Sequence, residues 1–316
     1  MEKIKIGVSR CILGEKVRYD GGHQRDRYIT DTLGRYFEYI PVCPEVEYGL
    51  PVPREPMHLT GNPSTPRLIT IKTGIDHTDG MLTWADQRLK ELQNEDLCGF
   101  IFKSKSPSSG MQRVKVYAST GTGMPIHKGV GIFARVFMDR FPLLPVEDDG
   151  RLHDPILREN FVERVFAYRS WQTLMEGDKS IGSLVDFHTN HKLLLMSHSP
   201  KHYSALGKLV AGAKGYKGDL YGEYITTMMD GLRLIATAQK QINVLQHMLG
   251  YFKSLIAADE KQEMLDIIEK YYRGLVPLIV PIALFTHYVR KFDIPYLKRQ
   301  SYLNPHPMEL MLRNHV

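Results

Sequence analysis

The tightest constraint on what this chain can fold into is a single change in the spacing of its apolar residues, near the middle of its 316 residues. Before the change, short β-rich runs alternate with polar or helical stretches: Lys3 to Ser9 (KIKIGVS), Tyr39 to Val42 (YIPV), Gly99 to Lys103 (GFIFK) and Val130 to Met138 (VGIFARVFM). A helix-like segment, Thr83 to Gln93, lies between two of them. This alternation predicts an α/β N-terminal domain, Rossmann-like, with a largely parallel sheet. From Asn160 onward the period becomes helical: Phe161, Val165, Tyr168 and Trp171 recur every three or four residues, and Ile225 to Leu249 reads as one long amphipathic helix. An all-α C-terminal domain is expected, with Pro277 and Pro281 interrupting or kinking a helix near Leu275 to Val289. The domains are placed at 1–145 and 156–316, with a hinge in Phe141 to Pro155 (FPLLPVEDDGRLHDP), rich in Pro, Asp and Gly.

Composition excludes several classes. At 43% hydrophobic and 24% charged residues the chain is able to bury a core and is not of disordered type. No run approaches the 18 or so apolar residues that cross a bilayer. The start, MEKIKIGVSR, lacks the apolar core of a secretory signal. A cytoplasmic protein with no membrane partner and no obligatory protein partner is expected. Three cysteines cannot form a disulfide framework. The net charge of +6 is uneven: residues 1–150 hold 20 Lys+Arg against 19 Asp+Glu, and residues 151–316 hold 21 against 16. The surplus lies in the helical half, where it serves solubility or a polyanion-binding face.

Loops that leave the carboxyl ends of parallel strands converge on one crevice, and three such loops here are chemically loaded. The first contains Ser9, Arg10 and Cys11, the second Cys43, Pro44 and Glu45, and the third Lys103, Ser104, Lys105, Ser106, Pro107, Ser108, Ser109 and Gly110. A single cysteine after a strand is most often a small buried hydrophobe. Two at equivalent strand ends, near Arg10, Lys103 and Lys105, suit ligation of a metal or cluster by thiolates.

The segments SRCILGEKVRYDGG, CPEVEYGLPVPR and KSKSPSSG resemble the bacterial thiouracil desulfidases, whose pattern is S-x-C-L-L-G-x-x-V-R-Y-x-G, then C-P-E-V-x-x-G-L-x-x-P-R, then K-S-x-S-P-S-C-G. The resemblance covers roughly residues 3 to 140. The remainder, with DFHTNHKLLLMSHSPKHYSALGKLV at Asp186 to Val210, resembles a helical domain of formerly unknown function that is often fused to that family. The fused arrangement is similar to desulfidases that convert 4-thiouridine in tRNA to uridine. The resemblance implies a [4Fe-4S] cluster held by three cysteines, with one iron open to take the substrate's sulfur. Cys11 and Cys43 match the first two ligand positions, and Ser109 stands where the family has the third cysteine. Position 109 is either an introduced substitution or a natural variant with altered metallation, so the sequence as it stands describes a form expected to be inactive.

The same resemblance places Glu45 as general base and Ser106 as a catalytic serine, because exchange of C=S for C=O needs a water deprotonated beside the acceptor of sulfur. Ser9, Arg10, Lys103, Lys105 and Ser108 are expected to bind substrate, with Arg18 and Arg54 as further phosphate candidates. A tRNA partner needs a basic surface larger than the crevice. Candidates are Lys201, Lys208, Lys214 and Lys217 in one region and Arg290, Lys291, Lys298 and Arg299 in another, with Tyr203, Tyr216 and Tyr296 able to stack on bases. The histidine pairs His188/His191 and His198/His202 are expected to serve packing or RNA contact before metal binding. Two alternatives stay open. One is a desulfidase of free thiouracil or thiolated nucleotides, with the helical domain as a partner module. The other is a non-enzymatic RNA-binding or iron-sensing protein.

Overall fold

The computed structural model describes residues 3–118 and 124–315. The chain divides into two compact units, Met1–Asp154 and Pro155–Val316.

The first unit runs β1 (Ile4–Ser9), β2 (Phe37–Val42), α1 (Pro44–Glu47), β3 (Met57–Asn62), β4 (Thr65–Thr70), α2 (Thr78–Leu92), β5 (Phe100–Phe102), β6 (Val114–Tyr117), β7 (Ile126–Gly129), α3 (Ile132–Arg140) and β8 (Val146–Asp148). The expected parallel sheet is present, in the order β2-β1-β5-β8 with every pair parallel. A second sheet, β4-β3-β6-β7, has no counterpart among the four expected strands. Its outer pairs are antiparallel, and β3 runs parallel to β6. The boundary between the units, Asp154/Pro155, falls inside the Phe141–Pro155 segment, and β8 within it belongs to the first unit, pairing with β5 from Phe100↔Val146 to Phe102↔Asp148. One expectation fails here. The run Val130–Met138 is a helix start and not a strand. Ile132, Phe133, Ala134 and Phe137 are the residues it buries, a helical spacing, and in an apolar run this short the period alone does not separate strand from helix. Burial settles the matter: Phe137 packs on Phe100 (ring centroids 4.6 Å apart) and Phe133 on Trp84 (5.6 Å).

The start of α3 fixes the serine loop. Its first N–H groups have no partners inside the helix. They donate instead to that loop: Ile132 N to Pro107 O (3.1 Å), Phe133 N to Ser108 O (2.9 Å) and Ala134 N to Ser108 O (3.1 Å). Just before the helix, Gly131 N donates to Gly110 O (2.7 Å), and a Cβ at Gly131 would stand 2.5 Å from the Ser108 carbonyl.

The second unit is helical, as expected: α4 (Pro155–Glu176), α5 (Ile181–His198), α6 (Pro200–Ala211), α7 (Leu220–Arg233), α8 (Ala238–Leu249), α9 (Ala258–Tyr272), α10 (Ile279–Lys291) and α11 (Pro295–Lys298). The single helix expected over Ile225–Leu249 is two. Between α7 and α8 the chain opens, and its carbonyls serve buried donors: Leu234 O accepts from His198 Nδ1 (2.6 Å) and Ile235 O from Lys240 Nζ (2.9 Å). Nor do the prolines kink a helix interior. Pro277 precedes α10, and Pro281 sits in its first turn, where a missing N–H breaks no helical bond.

An ionic core ties this unit together. A carbonyl can only accept, so His198 Nδ1 carries hydrogen, and the other ring nitrogen faces Glu163 Oε2 at 3.0 Å. His198 thus bridges the Leu234 carbonyl and the Glu163 carboxylate through its two ring nitrogens. Arg313 donates to Glu163 Oε1 (2.8 Å) and to Glu159 Oε1 (3.2 Å); burial and the neighbouring charge of Glu163 push the Glu159 carboxyl up.

The tight seat of α3 yields a test. Gly131→Ala is expected to lower stability by about 1–3 kcal/mol, the usual cost of forcing atoms into a packed site. Urea unfolding of the two proteins measures it.

Candidate active site

The site is built by three parallel strands that end together. β1 and β2 pair as far as Ser9↔Val42, so the chain leaves both strands at the same level. After β1 a tight turn, Arg10–Leu13, buries Cys11, whose carbonyl accepts from Gln24 N at 2.9 Å. After β2, Cys43 opens α1 and donates its N–H to Glu47 Oε1 at 2.7 Å. β5 flanks β1 on the other side, and Lys103 N donates to Ser9 Oγ at 2.9 Å, which locks the serine loop to the cysteine loop.

These loops enclose a cavity of about 560 Å³. Cys11, Cys43 and Ser109 all line it, although 66 positions separate the second from the third. Glu45, Ser106, Ser9, Arg10, Lys103 and Lys105 line it too. Ser108 is fully buried behind the wall, where its hydroxyl donates to Glu45 Oε1 (2.5 Å) and lies 3.0 Å from Ser106 Oγ. Glu45 Oε2 accepts from the Cys43 thiol at 3.5 Å and faces Arg54 Nη2 at 3.8 Å. Glu45 is thus held by a hydroxyl on one oxygen and by a thiol and a guanidinium on the other.

The cations around the cavity are mostly committed. Arg10 Nε donates to Glu15 (2.8 Å), a bond that raises its pKa further, so Arg10 is not a free phosphate contact. Arg18 pairs with Asp20 (3.5 Å) and lies over the Tyr19 ring. Lys103 pairs with Asp149, whose other oxygen accepts from Ser104 N at 2.8 Å. Asp149 escaped sequence reasoning because it follows β8, inside the supposed hinge. Its signal was the acidic triplet after PLLPV, where a strand end was equally legible. Gln24 was likewise missed as a cavity residue.

Burial pushes the Cys11 thiol up to about 11 and the Cys43 thiol up to about 12; for Cys11, Lys103 pulls the other way, and for Cys43 the charge of Glu45 adds to the rise. Without a bound cation both are neutral thiols at pH 7, and metal ligation is what would make them thiolates. Among the described residues, the one trio of His, Cys, Asp or Glu whose ligand atoms close to within 4.8 Å is Glu159, Glu163 and His306; Cys11, Cys43 and Glu45 form no such trio. As donors the two thiols fit an iron-sulfur cluster. The Ser109 hydroxyl, hard and weakly acidic, does not fit the third position. Cys98 cannot replace it: it lies before β5, at the opposite end of that strand from the cavity, and does not line it. The Glu159/Glu163/His306 trio is no metal centre either. Arg313 already donates to both of its carboxyl groups and His198 faces Glu163, so these oxygens are engaged within the protein.

In the helical unit, Lys201 and Lys208 are exposed on α6, and Lys214 and Lys217 in the turn after it; none has a carboxylate partner among the described residues. The other basic group is largely neutralised: Lys291 pairs with Glu260 (2.9 Å), Lys298 with Asp293 and Arg299 with Asp186 (3.4 Å). Arg290 is exposed and lines a separate cavity of about 430 Å³. Tyr296 stacks on Tyr251 at 5.1 Å and Tyr216 bonds Glu223; Tyr203 is half-buried. His188 meets the Tyr224 hydroxyl (3.1 Å), His191 the Phe187 carbonyl (2.8 Å) and His202 Ser199 (2.7 Å), which are packing roles. No helix among the described residues is long and apolar enough to cross a membrane.

Residues 6–149 match the family model of 2-thiouracil desulfurase, and residues 192–307 match that of a protein of unknown function, DUF1722. The chain belongs to the 2-thiouracil desulfurase family through its first unit, which a DUF1722 domain follows. The uncharacterized protein YbgA of Escherichia coli (strain K12) is 31% identical over 153 residues, covering 48% of this chain and 90% of that protein. The uncharacterized protein YbbK of Bacillus subtilis (strain 168) is 29% identical over 135 residues, covering 41% and 86% respectively. A solved structure, the [4Fe-4S]-dependent thiouracil desulfidase TudS, is 29% identical, covering 48% of this chain and 95% of that one, with a TM-score of 0.39.

The raised thiol pKa values predict slow alkylation. At pH 8, metal-free Cys11 and Cys43 are expected to react with iodoacetamide about 100-fold more slowly than free cysteine, whose thiolate is abundant there. Mass-spectrometric time courses of the two cysteine peptides check this.

Proposed function

We propose that this chain is a desulfidase that exchanges the ring C=S of 4-thiouridine in tRNA for C=O. The supporting observation is that Cys11, Cys43, Glu45 and position 109 converge on one cavity at the ends of β1, β2 and the loop after β5. The overall change consumes one water and releases the sulfur as hydrogen sulfide, with no net oxidation or reduction. Glu45 takes a proton from the water as it adds to the ring carbon, and the C–S bond breaks as the tetrahedral carbon collapses to C=O. The Ser108 hydroxyl keeps the Glu45 carboxylate turned into the cavity, and Ser106 stands ready to pass a proton toward the leaving sulfur. Tyr19, 44% exposed at the cavity mouth, offers a face for the base. The tRNA substrate is favoured over a free base by the four lysines on and after α6 that have no carboxylate partner among the described residues. A cytoplasmic location accords with that substrate.

Because Ser109 does not complete the ligand set, the chain as it stands is expected to turn over poorly. Ser109→Cys after anaerobic reconstitution should raise bound iron to about four per chain, the content of the cluster the family resemblance implies. Unchanged iron would reject this account of position 109. The reconstituted variant is then offered thiolated tRNA, free 2-thiouracil and 4-thiouridine monophosphate, and loss of thiocarbonyl absorbance is followed. Loss with tRNA alone supports the proposal, and loss with small molecules alone moves the substrate to free bases or nucleotides. No loss despite a full cluster leaves a binding or sensing protein. In the same background, Glu45→Gln should keep the iron and lower kcat by about 10²–10⁴, the usual worth of a general base. Full turnover by that variant would remove Glu45 from the chemistry.

A further inference from the structure

The helical unit holds a cavity of about 430 Å³ that the proposed chemistry does not use. That volume lies in the range of small-ligand sites, about 300–1,000 Å³. One wall is the face of α10 that carries Ile279, Ile282 and Ala283, and the other is the last stretch of chain, which contributes Leu303 and Leu312. Ile282, Leu303 and Leu312 are buried, so the floor is apolar. Met308 and Met311 line the cavity as well, yet they are 69% and 66% exposed. The turn that carries them is anchored by its other residues: Leu310, Leu312 and Arg313 are buried, and Met311 takes φ 53, uncommon for a residue with a long side chain. Two flexible apolar side chains are thus held out of the core and against the cavity, as at surfaces that adapt to apolar ligands.

The polar groups are as one-sided as the apolar ones. The ionisable side chains on the walls are Arg290, Arg313, His287 and His306, and no carboxylate lines the cavity among the described residues. Arg313 is committed to Glu159 and Glu163. Arg290 is exposed and has no carboxylate partner among the described residues, unlike Lys291, Lys298 and Arg299. The exposed amides of Asn304 and Asn314 line the same cavity. Hydrogen-bond donors therefore gather where the walls meet solvent, and aliphatic side chains where they are buried.

We propose that this cavity binds an amphipathic carboxylate, an apolar body with one terminal carboxylate, its body lying on Ile282, Leu303 and Leu312 and its charge meeting Arg290. A guanidinium and a carboxylate form charge-assisted hydrogen bonds, and a guanidinium without an ion pair gives up only water to make them. A cationic amphiphile of the same length meets like charge at the rim and finds no counter-charge on the walls. The site stands on the helical unit alone and does not depend on the chemistry of the crevice in the first unit.

The test is calorimetric titration of the full chain with octanoate, hexanoate, octanol and octylamine. Octanoate is expected to bind with one site per chain. Hexanoate should bind about 15-fold more weakly, since each buried methylene is worth about fourfold. Octylamine, a cation at neutral pH, should bind more weakly than octanol. Arg290→Gln should raise the Kd of octanoate about tenfold, as for loss of one charge-assisted contact, and leave that of octanol unchanged. Ala283→Trp places a large side chain in the cavity from the exposed side of α10 and should abolish binding of both. Thermal melting by circular dichroism establishes that each variant is folded, and a variant that is not is replaced by Thr286→Trp on the same wall. Octanoate binding that survives a folded cavity-filling variant overturns the site, and octylamine binding as tightly as octanoate overturns the ligand class. No saturable binding of octanoate to the wild-type chain overturns the proposal altogether. So does displacement of octanoate by a short oligouridylate, which would assign the cavity to nucleic acid.

Discussion

The pairing of β1 between two parallel neighbours is the constraint on which the first unit depends. With β2 on one side and β5 on the other, all three chains run the same way and end at one edge. Residues at positions 11, 43 and 103–109 are thereby brought together without any contact local in sequence. The bond from Lys103 N to Ser9 Oγ fixes the level at which the two outgoing loops separate. A slip of β1 against β2 by one residue would turn one strand's buried face outward and offset the loops that carry Cys11 and Cys43.

The chemistry of the crevice was readable from the sequence because it lies in motifs: a cysteine after each of two strands, a carboxylate two residues beyond the second, and a serine-rich turn. The scaffold beneath it was less readable. Val130–Met138 has the composition of a strand, and what makes it a helix is tertiary: the aromatic side chains of Phe100, Phe102 and Trp84 need a partner layer, and the serine loop offers carbonyls to a helix start. β8 was hidden for a similar reason. Three residues in a Pro- and Asp-rich stretch give no periodic signal, yet their pairing with β5 delivers Asp149 to Lys103 and Ser104. Whichever residues pair with the cavity's cations had to be seen in space, since Glu15, Asp20, Glu45 and Asp149 share no common spacing to their partners.

The helical unit shows the complementary case. Its class was evident from the 3.6-residue period, while its interruptions follow from burial of polar groups. The pattern of Ile225–Leu249 is continuous as a sequence, but buried His198 and the Lys240 ammonium require backbone carbonyls, and the chain opens between α7 and α8 to provide them. Periodicity reports which face is apolar; it does not report where a neighbouring helix needs an acceptor.

The ionic core of the helical unit also sets an order of events during synthesis. Arg313 lies 150 positions from Glu163 and 154 from Glu159, so two carboxylates on α4 wait for their counter-charge until nearly all of the helical unit has left the ribosome. The first unit closes its sheet with β8 at Asp148, well before that point. Translation thus releases a finished crevice while the helical unit still lacks the arginine that its α4 glutamates bond.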